Sequence, residues 1–155
     1  MKKRLLLGLL VVCFACEKDE SADGNNNIAL KDALNGNEWK ITSIILTTSD
    51  GGFANIFDLN FQPCEKDDLL KFNTNKVFTK SDNINICNPE GNSVFNNLNG
   101  GSWDSQASDS TLVIAKGFNA QVYKVSAWSA NTMTWKQSSK DYLGIENTLT
   151  FTLIR

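Results

Sequence analysis

Apolar and polar residues alternate through most of the chain after residue 38. Near the C-terminus, Leu149, Phe151 and Leu153 alternate with threonines, which is typical of a strand with one buried and one exposed face. The same period of two predicts seven further strands, at 39–47, 69–73, 76–80, 101–104, 111–115, 121–128 and 132–136. Clusters of Asn, Gly, Ser and Lys between these segments indicate turns.

Eight consecutive strands joined by turns predict an all-β protein. We expect an eight-stranded antiparallel up-and-down barrel, because closing the sheet removes its exposed edges. A β-sandwich is the alternative. Before the first strand, segment 28–34 has apolar residues spaced as in a short helix, and Asn35-Gly36-Asn37 supplies a stop signal.

The N-terminus has the pattern of an export signal. Three basic residues, Lys2 to Arg4, precede an apolar run from Leu5 to Ala15, which is shorter than the about 20 residues that span a bilayer. The run ends in Cys13-Phe14-Ala15-Cys16, which resembles a bacterial lipobox and implies that Cys16 carries the lipid. The alternative is an ordinary signal peptide that leaves Cys16 as a free thiol.

Three segments follow from this interpretation: a signal at 1–15, an acylated cysteine with a flexible acidic tether at 16–27, and the barrel domain at 28–155. Removing the signal leaves 12 basic against 17 acidic residues. This acidic balance argues against a nucleic-acid partner and against electrostatic docking on anionic lipid. We therefore expect attachment through the lipid alone. The acidic residues Glu17, Asp19 and Glu20 just after Cys16 resemble the surface-export signal of Bacteroidetes lipoproteins, which implies the cell-surface side of the outer membrane, with the periplasmic face as the alternative.

The chain contains no histidine, which excludes His-based nucleophilic triads and His-containing zinc sites. The acidic segment 65–68 invites a calcium or acid–base interpretation, but a solvated turn is favoured because no second acidic group follows nearby. No catalytic residue, cofactor or metal ion is expected.

Two cysteines remain after the signal and the anchor. In an exported protein, Cys64 and Cys87 predict a disulfide. The alternative is a pair of metal ligands, although the chain has no histidine to complete such a site.

Four aromatic residues are candidates for lining a ligand cavity: Trp103, Tyr123, Trp128 and Trp135. An eight-stranded barrel either fills with side chains or holds one small ligand. The alternative is therefore that these residues fill the core.

Several landmarks together resemble the lipocalin-like domain lipoproteins of Bacteroidetes, over about residues 30 to 155. They are the segments Gly36-Asn37-Glu38-Trp39-Lys40-Ile41, Pro63-Cys64-Glu65-Lys66-Asp67-Asp68, Leu70-Lys71-Phe72, Cys87, Gly101-Ser102-Trp103 and Leu112-Val113-Ile114. The resemblance implies an eight-stranded calyx. Lipocalins also pack a late arginine on the first-strand tryptophan, so Arg155 is expected to stack on Trp39, with a solvated C-terminus as the alternative.

These observations favour a non-catalytic, membrane-anchored module that binds or presents a small apolar molecule. The alternative is an envelope protein with a filled barrel that contacts a protein or a glycan through its loops. Segments 48–63 and 81–100 are the candidate contact loops, because they are long and rich in Asn, Gly and Phe. An enzyme that uses carboxylates is the weakest hypothesis.

Overall fold

The computed structural model describes residues 28–87, 95–106 and 110–155. Nine strands occur in these ranges: β1 Glu38–Thr48, β2 Phe53–Asn55, β3 Leu69–Phe72, β4 Phe78–Ser81, β5 Ser102–Gln106, β6 Thr111–Lys116, β7 Asn119–Trp128, β8 Thr132–Lys140 and β9 Glu146–Ile154. The helical segments there are α1 Leu30–Leu34, α2 Ile56–Asn60 and a 3₁₀ turn at Asn96–Leu98.

The strands form one antiparallel sheet in the order β4-β3-β1-β9-β8-β7-β6-β5, with β2 paired only to β1. The two ends of this order meet at a bridge between Val77 and Ser102, and the Phe78 N–H donates to the Gly101 carbonyl at 2.8 Å. A side chain at Gly101 would place a Cβ 2.4 Å from the Ala115 carbonyl oxygen, so this close approach requires glycine. The prediction of an all-β, eight-stranded up-and-down barrel is confirmed.

Strand β1 contains a bulge near its start, because its register with β9 shifts between Ile41 and Ser43. The extra residue lets Ile41 and Ile44 both point into the core, although they are three positions apart.

Because consecutive strands are connected at alternate ends of the barrel, each end carries its own set of connections. The helix end carries α1 and the turns at 73–77 and 129–131. The loop end carries the connections at 49–68, 82–101, 117–118 and 141–145. The first of these connections contains β2 and α2, which the alternation pattern does not reveal.

Helix α1 closes the helix end. Its apolar residues Leu30, Ala33 and Leu34 are buried, as the i, i+3, i+4 spacing of one helix face requires. The Asn37 side chain donates to the Ala33 carbonyl at 2.8 Å and satisfies the end of the helix. None of the helices within the described ranges has the length and apolar character needed to cross a membrane.

The two long connections at the loop end are joined by the disulfide between Cys64 and Cys87, whose Cα atoms lie 5.3 Å apart. The predicted disulfide is confirmed. Both connections also send a phenylalanine inward, Phe57 from α2 and Phe95 from the segment before the 3₁₀ turn, and both rings are buried. The loop end is therefore packed from within by its own loops.

Candidate functional site

The barrel brings three of the four predicted ligand-binding residues together. Trp103, Tyr123 and Trp135 alternate inward on β5, β7 and β8, and at most 2% of each side chain is exposed. Trp135 packs against Tyr123 at 5.3 Å between ring centroids. Trp103 and Trp135 both meet Phe72 edge-on, at 5.5 and 5.8 Å. The three side chains are part of a continuous aromatic core, so ligand binding by them stays a prediction.

The fourth candidate, Trp128, lies apart from this cluster. It is half-buried at the C-terminal end of β7, and its Nε1 donates to the Ile28 carbonyl at 2.9 Å. Trp128 therefore holds the chain segment that leads into α1 against the helix end.

Polar atoms remain without a protein partner inside the barrel. Within the described part of the chain, Tyr123 Oη, Trp135 Nε1 and Trp39 Nε1 are buried and form no hydrogen bond. Burial raises the pKa of the Tyr123 hydroxyl, so it stays protonated and able to donate. These atoms give the apolar core a few unused donors.

The acidic segment beside the disulfide is buried, so its interpretation as a solvated turn is wrong. Glu65, Asp67 and Asp68 are each less than 9% exposed. Asp67 Oδ2 accepts hydrogen bonds from the Ile84 N–H, the Asn85 N–H and the Asn85 side chain, at 3.1, 3.0 and 3.0 Å. Burial opposes ionisation, but these three bonds outweigh it and lower the pKa of Asp67.

Asp68 lies in a different environment from its neighbour. Burial raises the pKa of its carboxyl, and the ammonium of Lys80, 2.8 Å from Oδ2, opposes this only partly. Both side chains of the pair are 6% exposed. Asp67 thus ties the connection at 49–68 to the one at 82–101, and the Asp68–Lys80 pair ties the former to β4, next to the covalent link.

The carboxylates do not form a metal site. Across 28–87, 95–106 and 110–155, no three Cys, Asp or Glu side chains are grouped so that they could hold an ion. Outside the core, a surface groove of ≈ 380 Å³ runs along the helix end, between residues such as Lys40, Leu69 and Arg155. None of the four predicted aromatic residues lines this groove.

The most unusual surface of the molecule is the loop end. Seven large apolar side chains there are at least two-thirds exposed, and every one lies on a loop-end connection: Phe53, Leu59, Ile84, Ile86, Phe118, Tyr142 and Leu143. Phe118 and Tyr142 are the most exposed, at 110% and 94%. Large contiguous apolar patches on a protein surface commonly mark interaction sites, so the loop end is the candidate interaction surface. We call these seven residues the loop-end apolar set.

No protein-family model matches the chain, and no curated protein matches it significantly. The resemblance to lipocalin-like lipoproteins therefore stays a prediction. One contact expected from it is wrong: Arg155 is exposed and donates to the Ala130 carbonyl at 3.4 Å instead of stacking on Trp39. Strand β9 ends at Ile154, and the Arg155 N–H bonds to Asn131, which directs the side chain to the turn at 129–131.

Sequence reasoning identified only part of the loop-end apolar set. It selected the two long connections as contact loops, and these contain Phe53, Leu59, Ile84 and Ile86. It missed Phe118, Tyr142 and Leu143, which lie in tight turns. The available signal was a large apolar residue beside a turn glycine, as in Gly117-Phe118 and Leu143-Gly144.

Proposed function

We propose that this protein is a non-catalytic interaction module of the cell envelope, anchored to the outer membrane by lipid on Cys16 and displayed at the cell surface. The barrel is its rigid scaffold, and the loop-end apolar set is its binding surface for another protein. The observation that carries this proposal is the exposure of Phe118, Tyr142 and the other five apolar side chains at one end of a barrel whose interior is packed.

The direction of the anchor supports this assignment. Residues 1–27, with the proposed signal, Cys16 and the tether, lie outside the described residues. The chain enters the described structure at Ile28, which Trp128 holds at the helix end. A tether of residues 16–27 reaches about 40 Å at full extension. The tether therefore joins the domain at the helix end, which leaves the loop end as the end of the barrel farther from the point of attachment.

Experiments in cells first test the lipid anchor on Cys16 and the display of the domain at the cell surface. Cys16→Ala should abolish incorporation of a palmitate analogue and release the protein from the membrane fraction, whereas Cys13→Ala should change neither. Proteolysis of intact cells should remove the domain. Complete protection would place the protein on the periplasmic face and contradict the surface assignment.

Partner contact is tested by placing a photo-crosslinking amino acid at Phe118, at Tyr142 and at Ile154. Ile154 is also exposed, but it lies at the helix end and serves as the matched control. We expect discrete adducts in intact cells from the first two positions only. These adducts should disappear when Ile84→Ser and Ile86→Ser are added. Equal labelling from all three positions would contradict a loop-end binding surface.

A small apolar ligand inside the barrel is the second candidate function. The unused donors of Tyr123, Trp135 and Trp39 favour it, because a ligand with a polar group would satisfy them. Phe95 must then leave the barrel to make room. Native mass spectrometry of the domain from Ser21 onward, after exposure to lipid extract of its own cells, tests this candidate. A reproducible added mass of a few hundred daltons would support it, and a bare mass would exclude such cargo from the extract.

A further inference from the structure

At the loop end, the pairing between the neighbouring strands β7 and β8 ends before the strands themselves do. The pairing of β7 with β8 runs from Trp128–Met133 to Lys124–Lys136 and stops there. Beyond that point β7 continues through residues 119–123 and β8 through 137–140; among the described strands, these residues pair with β6 and with β9, respectively, and not with each other. From there on, two strand edges run side by side without pairing to each other, and we call the region between them the β7–β8 cleft.

The direction of the backbone groups on β7 follows from the antiparallel pattern. The Val125 N–H donates to the Ser110 carbonyl at 2.7 Å, on the β6 side. Because N–H and C=O groups alternate sides along a strand, those of Ala120 and Val122 point into the cleft.

The same reasoning applies to β8. The Asp141 N–H donates to the Ile145 carbonyl at 3.0 Å, on the β9 side. The main-chain groups of Ser138 and Lys140 therefore point into the cleft from the opposite wall. Neither edge carries a proline or a bulge at these positions, which are devices that commonly block strand addition.

Apolar side chains surround the cleft. Phe118 lies in the β6–β7 turn, Val122 lies on the outer face of β7 and is 55% exposed, and Tyr142 and Leu143 follow β8. At the base of the cleft, the Gln137 side chain donates to that of Gln121. The cleft thus combines unpaired main-chain groups with apolar contacts above them and a polar floor.

We propose that the β7–β8 cleft binds an extended segment of a partner protein by strand addition. The main-chain groups at 120, 122, 138 and 140 supply hydrogen bonds, while Phe118, Val122 and Tyr142 receive alternate apolar side chains of the segment. The inference rests on the proposed function, because it names the form of partner that the loop end recognises. A peptide is favoured over a glycan because the N–H and C=O groups of the two strand edges repeat at the spacing of another polypeptide backbone.

Two synthetic octapeptides test the proposal, one alternating valine with glutamate and one alternating valine with lysine. If both peptides bind, main-chain and apolar contacts account for the binding and the charge of the peptide does not. We expect both to slow amide hydrogen exchange at Ala120, Val122, Ser138 and Lys140. A version of each peptide with proline at its centre, which cannot continue a strand, should not do so.

Substitutions in the cleft provide the matched comparison. Val122→Pro removes an N–H that faces the cleft and leaves the β6 ladder intact, so affinity should fall at least about tenfold, whereas Val122→Thr should stay within about threefold. Should Val122→Pro fail to fold, Ser138→Pro makes the same change on the opposite edge.

Equal affinity in Val122→Pro and Val122→Thr would overturn strand addition. So would the absence of amide protection by either peptide; binding of maltoheptaose at Phe118 and Tyr142 would then assign the rim to glycans. Neither result changes the crosslinking test at Phe118 and Tyr142, so failure of the cleft is distinguishable from failure of the loop end as a binding surface.

Discussion

Phe95 lies inside the barrel against Tyr123, with the ring centroids 6.3 Å apart and the ring planes 29° apart. Tyr123 belongs to the barrel wall, whereas Phe95 comes from the long connection between β4 and β5. Phe95 also meets Phe151 of β9 at 6.1 Å and, across the barrel, Phe78 of β4 at 6.1 Å. One loop residue therefore occupies the volume that a ligand-binding barrel keeps open.

Replacing Phe95 with alanine should lower the free energy of unfolding by about 3–5 kcal/mol, because a buried ring is lost and a cavity remains. Urea unfolding measures the loss. The cavity should also admit a small apolar probe such as benzene, detected by a rise in melting temperature that the wild-type protein does not show.

Phe118→Ala is the matched control, since the Phe118 ring is fully exposed. Its free energy of unfolding should stay within about 0.5 kcal/mol of wild type. If the two variants are equally stable, Phe95 does not fill the core.

Removing the disulfide with Cys64→Ala and Cys87→Ala together should lower the free energy of unfolding by roughly 3–4 kcal/mol, since the bond closes a loop with a sequence separation of 23. Wild type under reducing conditions should unfold at the same urea concentration as the double variant. A difference between these two samples would mean that the alanines perturb packing beyond loss of the bond.

Lys80→Met should destabilise the protein by about 3 kcal/mol near neutral pH, because Asp68 is left buried without its cation. The pKa of Asp68 is already raised by burial, and it rises further without Lys80. A raised folded-state pKa gives stability at low pH that is lost as pH rises through it. The deficit of Lys80→Met relative to wild type should therefore shrink as the pH falls to about 4.

The double variant Asp68→Leu with Lys80→Met tests whether the lost stability comes from the unpaired charge or from lost packing. With both charges removed, stability near neutral pH should return to within about 1–2 kcal/mol of wild type. A deficit in Lys80→Met that does not change with pH would show that lost packing, and not the unpaired carboxylate, causes it.

Asp67→Asn should lower the melting temperature near neutral pH, because Asp67 Oδ2 loses the charge that strengthens three hydrogen bonds. The pKa of Asp67 is lowered in the folded state, so its contribution is present above the ordinary value of about 3.9 and is lost as pH falls through the folded pKa. The variant should therefore lose less stability than wild type on acidification.

Asp104→Asn is the surface control, with a side chain that is 72% exposed. Its melting temperature and acid transition should follow those of wild type. An acid transition in Asp67→Asn identical to wild type would contradict the anchoring role of Asp67.

The alternation of residues determined the barrel wall. Leu149, Phe151 and Leu153 were assigned to one strand face from period two alone, and they lie on the inner side of β9. Pairing is local in an up-and-down barrel, so, apart from the short β2 and the closure of β9 on β1, each strand of the wall lies beside the next one in sequence. The disulfide was equally predictable, because Cys64 and Cys87 are the two cysteines beyond the predicted signal and anchor, which leaves one pairing.

Only the tertiary structure determines which loop side chains fill the barrel and which are exposed at its ends. Phe95 and Phe118 are the same residue type in similar loop sequences, yet one is 1% exposed and the other fully exposed. The burial of Asp67 likewise depends on donors at Ile84 and Asn85, 17 and 18 positions away. The local sequence pattern indicates which face of a strand is apolar. Whether a loop side chain is buried depends on which part of the fold, distant in sequence, its loop contacts.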